Sequence, residues 1–319
     1  MITVGVWIVK CGFSRIGLAG VLSREPVIID SSMSRLKILG SGTPTPTRDR
    51  WGTSFLLEIA GEWLMIDCGP AATHKMHRMG VPCTAICHLF FTHLHSDHIA
   101  DYPCFLMTRF DQSIGAEGDL NVYGPSPIRD ITTKLWSRDQ GVFWYDVTAR
   151  VNHPMSVHAY HSRGGEGRRQ EPVVHVREFG EGEIVRGCGW SCHVREVKHA
   201  QPYIECFGLR FETDEGVVAF SGDTAPIESV VELARDADLF VMEAVHREEV
   251  IQTLPSRISE TGTIGAGRMA AEAGAKRLVI NHQSVTLDPP EEAAQGILEV
   301  KSAYDGPVYW AHDMMEIEW

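Results

Sequence analysis

Apolar positions fall in short runs of four to six residues, cut by glycine, proline and polar turns. No run approaches the roughly 18 apolar residues of a membrane-spanning helix. Leu36–Leu39 reads as a strand, followed by the turn Gly40-Ser41-Gly42-Thr43-Pro44. Ser54–Ile59 and Trp63–Asp67 read as two strands joined at Gly61 in hairpin fashion. Residues 70–80 read as a helix stopped by Gly80, and His88–Thr92 as a buried strand running into His93. The second half repeats the style. Leu209–Thr213 and Val217–Ser221 form a hairpin through Asp214-Glu215-Gly216. Helices at Pro226–Asp236, Gly265–Gly274 and Glu291–Ala303 then alternate with strands at Leu239–Glu243, Leu278–Asn281 and, last, Val308–Trp310. Hairpins first and strand–helix alternation second, twice over, predict an α/β protein of two mixed sheets packed face to face with helices outside, an αββα sandwich.

This pattern sets a domain organisation. Residues 1–35 form an N-terminal extension whose apolar stretches suit an added strand or a dimer contact, and a homodimer is expected. Residues 36–319 form one domain with an insertion at about 101–190, where the pattern breaks down. That stretch holds Phe105, Phe110, Trp136, Phe143, Trp144 and Tyr145 and the loop Arg163-Gly164-Gly165-Glu166-Gly167-Arg168-Arg169. It reads either as a cover over a site or as a satellite core of its own. Arg109 and the arginines at 163, 168 and 169 read as a solvated basic surface, with anion binding as the other reading.

Composition narrows the class. With 29 Lys and Arg against 42 Asp and Glu, the net charge is −13, which argues against an extended nucleic-acid footprint, so no nucleic-acid partner is expected. The eight cysteines contain no Cys-x-x-Cys pair and read as reduced thiols. Without a secretory signal or membrane span, the expected location is cytoplasmic.

The strongest chemical signal is His93-Leu94-His95-Ser96-Asp97-His98, directly after an apolar strand. His93 and His95, at i and i+2, leave the strand end on one side and can share a metal, while Asp97 and His98 on the following turn can reach a second. Asp67, His199, Asp223 and His282 also fall at strand ends, and an aspartate at position 223 can bridge two cations with its carboxylate. His153, His158, His161, His175 and His193 crowd the middle of the chain as a second, weaker candidate metal group.

Taken together, these motifs resemble the metallo-β-lactamase fold superfamily. The resemblance implies that His93, His95 and His199 hold one metal, that Asp97, His98 and His282 hold a second, that Asp223 bridges, and that Asp67 supports the cluster. Gly40-Ser41-Gly42-Thr43-Pro44 and Ser221-Gly222-Asp223-Thr224 resemble the branch of tRNA 3′-processing endonucleases and arylsulfatases. Met242-Glu243-Ala244-Val245 stands where that branch has His-Glu-Ala-Thr, and no histidine occurs near Glu260-Thr261, where its nucleases carry a further catalytic one. A looser resemblance is to hydrolytic dehalogenases of chlorinated aromatics.

The expected cofactor is zinc, two ions per chain, with manganese or iron as other fits to an imidazole and carboxylate ligand set. The expected function is a metallo-hydrolase that uses a metal-activated hydroxide on a small hydrophobic or aromatic molecule, by dehalogenation or by ester, sulfate or lactone hydrolysis. The alternative is a phosphodiesterase or RNase Z-like nuclease. Candidate catalytic residues are Asp97, Glu243 and His246. Glu243 and His246 are candidates for moving a proton to the leaving group; otherwise Glu243 orients a ligating histidine and His246 caps a loop.

Overall fold

The computed structural model describes residues 34–319. The extension at 1–35, and the dimer contact expected of it, lies outside the described residues apart from its last two positions. The chain opens with strands β1 (Arg35–Gly40), β2 (Ser54–Ile59) and β3 (Glu62–Ile66), then helix α1 (Ala72–Arg78) and β4 (Ile86–Phe90). Helices α2 (Ser96–Ile99) and α3 (Tyr102–Gln112) lead to β5 (Leu120–Gly124). Three helices follow, α4 (Ile128–Trp136), α5 (Trp144–Asn152) and α6 (Pro154–Ser162), before β6 (Val174–Glu178). The second half runs β7 (Ile184–Arg186), β8 (Trp190–Glu196), β9 (Phe207–Thr213), β10 (Gly216–Phe220), α7 (Glu228–Leu233), β11 (Leu239–Glu243), α8 (Glu248–Ile251), α9 (Thr263–Ala273), β12 (Leu278–Asn281), α10 (Pro290–Ala303), β13 (Val308–Trp310) and β14 (Met315–Glu318).

Among the described residues the strands form two seven-stranded sheets, ordered β14-β1-β2-β3-β4-β5-β6 and β13-β12-β11-β10-β9-β8-β7. Three apolar layers account for the αββα order. Leu36, Ile38, Phe55, Leu57, Phe90, Phe211, Phe220, Val241 and Val279 fill the space between the sheets. Leu56, Met65, Leu89 and Phe91 face outward onto the helical side of the first sheet, with Tyr102 and Phe105 of α3. Phe240, Met242 and Ile280 do the same for the second sheet, against Met269 of α9 and Val300 of α10. The inner strands are buried on both faces, which is why β11 and β12 read as unbroken apolar runs rather than as alternation.

Two expectations change. Val308–Trp310 is not the last strand: β14 crosses back to pair antiparallel with β1, Leu36 opposite Ile317. Its Met-Glu-Ile-Glu sequence is too short and too charged to announce itself. Residues 101–190 are not one inserted unit either. β5 and β6 extend the first sheet in parallel from β4, and Phe105, Phe110 and Trp136 belong to the layer outside that sheet. The helices α4 and α5 add Ile128, Val147 and Val151 to the same layer, with Phe143 and Trp144 packed against it, so the aromatic residues of this stretch are mainly packing groups. No helix among the described residues is long and apolar enough to cross a membrane.

The outer layer of the second sheet is a direct test of this packing. Phe240→Ala, at a fully buried position, is expected to lower stability by about 3–5 kcal/mol through the lost transfer energy and the cavity left behind. Urea denaturation followed by circular dichroism measures it.

Candidate metal centre

Parallel strands end side by side, and the centre is built where they end. β3 and β4 deliver Asp67 and His93 to one edge of the first sheet; β10 and β12 deliver Asp223 and His282 to the facing edge of the second. Asp67 and His282 both adopt left-handed backbone, each with φ of 56°. For residues with side chains that conformation costs about 1–3 kcal/mol and persists where surrounding contacts enforce it. Here the Asp67 amide donates to the Phe90 carbonyl at 2.7 Å, and the Cys68 amide to the His98 carbonyl at 2.7 Å. Two glycines permit the close approach. A Cβ at Gly69 would lie 2.1 Å from the Asp97 carbonyl oxygen, and Gly222, at φ 61°, would meet the Phe207 carbonyl at 2.8 Å.

The structure brings all seven candidate ligands together in two sets, His93, His95, His199 and Asp223, and Asp97, His98, Asp223 and His282; within each set the ligand atoms lie within 4.8 Å of one another. In the first set His95 Nδ1 is 3.0 Å from His93 Nε2 and 3.2 Å from His199 Nε2. Asp223 Oδ2 lies 3.6 Å from His93 Nε2 and 3.8 Å from His199 Nε2. In the second, His282 Nε2 is 3.1 Å from both Asp97 Oδ2 and Asp223 Oδ2, and His98 Nε2 is 3.3 Å from Asp223 Oδ2. One oxygen, Asp223 Oδ2, therefore belongs to both sets. These spacings suit donor atoms about 2.0–2.1 Å from a shared cation, which sit roughly 3.3 Å apart in a tetrahedron. His98 Nε2 and Asp97 Oδ1 are buried without a hydrogen-bond partner, as expected of lone pairs reserved for a cation. The residues fit a pair of divalent ions.

Groups around the ligands fix their orientation. Asp67 Oδ2 is 2.8 Å from His98 Nδ1 and accepts from the Thr92 hydroxyl at 2.9 Å, while its Oδ1 accepts the Thr92 amide at 2.8 Å. His199 Nδ1 is 2.9 Å from the Ser259 carbonyl oxygen. Such contacts select the tautomer that leaves the other ring nitrogen free to ligate. Thr92 and Ser259 were not anticipated from the sequence. Thr92 adjoins the histidine motif and was within reach of inspection, but Ser259 acts through its backbone and leaves no signature.

The electrostatics are those of mutually compensating charges. Burial raises the Asp223 carboxyl, but His282, His98 and His93 outweigh it and hold the group well below the usual carboxylate range. Burial lowers His98, yet Asp223, Asp67 and Asp97 lift it well above an ordinary histidine. His93, with burial and then His98 acting in the same sense, is driven well below.

The candidate proton carriers are placed differently. Glu243 is 2% exposed; its Oε1 accepts the Thr224 amide at 2.8 Å and the Thr261 amide at 3.0 Å, and its Oε2 lies 3.6 Å from His282 Nδ1. Burial, then Asp223, pushes its carboxyl well up. This is the setting of a positioning group beside a ligand. His246 is half-buried, its Nδ1 2.8 Å from the Thr286 hydroxyl and 3.0 Å from that of Ser284. Asp97 sits among the ligands themselves. The five histidines of the middle stretch do not gather into a ligand group among the described residues. His175 pairs with Asp119 and His193 with Glu212 instead.

The two facing mixed sheets and the histidine–aspartate cluster on their shared edge define the metallo-β-lactamase fold. The metallo-β-lactamase fold protein YhfI from Bacillus subtilis superposes with a TM-score of 0.69 at 18% identity, covering 90% of this chain and 100% of that one. The short form of human tRNase Z gives a TM-score of 0.63 at 21% identity, over 89% and 98%. By sequence, a ribonuclease Z from Mycobacterium bovis is 25% identical over 292 residues, 90% of this chain and 98% of that relative. A family model described as "Anti-Pycsar protein Apyc1" matches residues 34–141. The fold is thus that of metallo-β-lactamase fold proteins, and by sequence the chain is similar to ribonucleases Z along most of its length. They also overturn one expectation. A chain whose relatives are ribonucleases cannot be assigned a partner class without nucleic acid. Net charge bears on long phosphate-tracking grooves; it says little about a contact made at a cation centre, where the metal supplies the positive charge.

Asp67→Asn replaces the acceptor that holds His98 while leaving every ligand in place. Metal affinity is expected to fall about 10–100-fold, measured by competition with a chromophoric chelator. Unchanged affinity would remove Asp67 from the supporting role.

Proposed function

We propose that the protein is a phosphodiesterase of the ribonuclease Z kind, cleaving a phosphodiester bond in RNA or a nucleotide at a centre that holds two zinc ions. The observation that carries this reading is the sharing of Asp223 Oδ2 by two complete ligand sets, in a chain that aligns along most of its length with ribonucleases Z. His93, His95 and His199 would hold one ion, Asp97, His98 and His282 the other, and Asp223 both. An imidazole and carboxylate donor set without thiolate is compatible with zinc. When bound, such a pair lowers the pKa of water and offsets charge developing on the phosphoryl oxygens.

The chain's own groups do the rest. Asp67 and the Ser259 carbonyl keep His98 and His199 oriented. Glu243 pins the amides of Thr224 and Thr261, and so holds the segment carrying Ser259 against the cluster. His246, with its ring set by the Ser284 and Thr286 hydroxyls, is the proton donor to the departing oxygen. Tyr203, 91% exposed on the turn that carries His199, offers a face on which a base can stack.

With zinc supplied, the wild type is expected to hydrolyse bis(p-nitrophenyl) phosphate and a labelled oligoribonucleotide. Asp223→Asn is expected to lose about a thousandfold or more in turnover while its circular dichroism spectrum is retained, since several kcal/mol of charge stabilisation go with the shared ligand. Turnover confined to carboxylic esters, lactones or aryl halides would overturn the proposal. Tyr203→Ala should raise KM for the oligoribonucleotide by about 5- to 100-fold, the worth of one stacked base, and leave the small nitrophenyl substrate unaffected. Equal effects on both substrates would exclude stacking.

A further inference from the structure

A second cavity lies at the far end of the first sheet. Its volume is about 430 Å³, and its walls include Arg109, Phe110, Leu120, Trp136, Tyr160 and Arg169. Leu120 begins β5 and neighbouring Val174 begins β6, whereas the metal ligands follow the C-terminal ends of parallel β3 and β4. The two sites therefore sit at opposite ends of the strands, linked by α3, which starts four residues after His98 and ends beside the cavity.

What distinguishes this cavity is a pair of buried arginines that no carboxylate of the described residues contacts directly. Arg169 was expected on a solvated basic loop, yet it is 4% exposed. Its guanidinium lies 4.4 Å from the centre of the Phe110 ring and 5.5 Å from that of Tyr160. Its hydrogen bonds run from Nη2 to the Phe110 and Asp111 carbonyls, and Nε is buried with no partner. Arg109, 8% exposed, donates from Nε to the Ile86 carbonyl at 3.0 Å and from Nη2 to that of Gly118 at 2.6 Å. Among the described residues neither arginine forms a salt bridge. The nearby Asp111 carboxylate is taken by Arg150 and Arg163. The acids of the cavity rim point elsewhere, Glu171 to Arg138 and Asp119 to His175, and Glu117 contacts neither arginine closely enough for a salt bridge. Trp136 Nε1 is a further buried donor without an acceptor.

Burying an arginine without a salt bridge is costly, and two such groups beside the exposed edges of packed aromatic rings give the cavity both a cationic and an apolar wall. The Gly-rich loop closes one side. A Cβ at Gly165 would fall 2.4 Å from the Tyr160 ring, and the Tyr160 hydroxyl donates to the Glu166 carbonyl at 3.0 Å. We propose that this cavity binds a small aromatic anion of nucleoside monophosphate size, its anionic group on Arg109 and Arg169 and its ring among Phe110, Trp136 and Tyr160.

Isothermal titration of the full chain with adenosine 5′-monophosphate, adenosine and inorganic phosphate tests this. Asp223→Asn serves as background, so that binding at the metal centre is separated from binding here. The nucleotide is expected to bind Asp223→Asn as it binds wild type, and more tightly than adenosine or phosphate alone. Adding Arg169→Gln should weaken it by about tenfold or more, the loss of a charge-assisted contact. Ser113→Trp, placed at the cavity edge, should block binding and serves if Arg169→Gln fails to fold. Binding that disappears in Asp223→Asn, that survives both cavity substitutions, or that is absent up to about 1 mM nucleotide overturns the proposal.

Discussion

The structure turns on one oxygen. Asp223 Oδ2 lies within 4 Å of ring nitrogens from His93, His98, His199 and His282, and no arrangement of neutral groups would tolerate so many ionisable side chains at a buried point. Charges removed from water must be paired or taken up by a cation. Everything nearby obeys that demand. Asp67 answers His98, the Ser259 carbonyl answers His199, and Glu243 is kept in place by two backbone amides. The left-handed residues at 67 and 282 are the backbone's share of the cost, and the short contacts at Gly69 and Gly222 are its accommodation to the same crowding.

How this was legible in advance depends on the scale considered. Strands at Ser54–Ile59, Leu239–Glu243 and Leu278–Asn281 could be read to the residue because they are buried on both faces and bounded by turns, and the half-buried edge strand Val308–Trp310 because it is a short apolar run after Gly306-Pro307. His93, His95, Asp97 and His98 were conspicuous because a polar cluster after an apolar run has no packing explanation. His199, Asp223 and His282 were legible only in combination, each ending a strand. What escaped is what sequence does not encode locally. β14 is defined by its pairing with β1 across almost the whole chain, and β5 and β6 by their neighbours rather than by their own weak alternation. Arg169 looked solvated from its Gly- and Arg-rich surroundings; its burial comes from the way that loop folds over Tyr160.

The same limit governs substrate. A ligand set specifies a reaction type and leaves open what is brought to it. Net charge misled because it averages over a surface, while catalysis at a metal centre is decided within a few ångströms of the reacting atom. Homology to ribonucleases supplied the direction that composition did not.

The candidate ligands also come from both halves of the sandwich: His93, His95, Asp97 and His98 follow a strand of one sheet, and His199, Asp223 and His282 follow strands of the other. Ions seated among them would act as a clasp across the seam between the two sheets. Because anything that binds only the folded chain adds to its stability, by about 2.7 kcal/mol at a free concentration one hundred times Kd, the supply of metal would set how long the molecule endures as well as how fast it works.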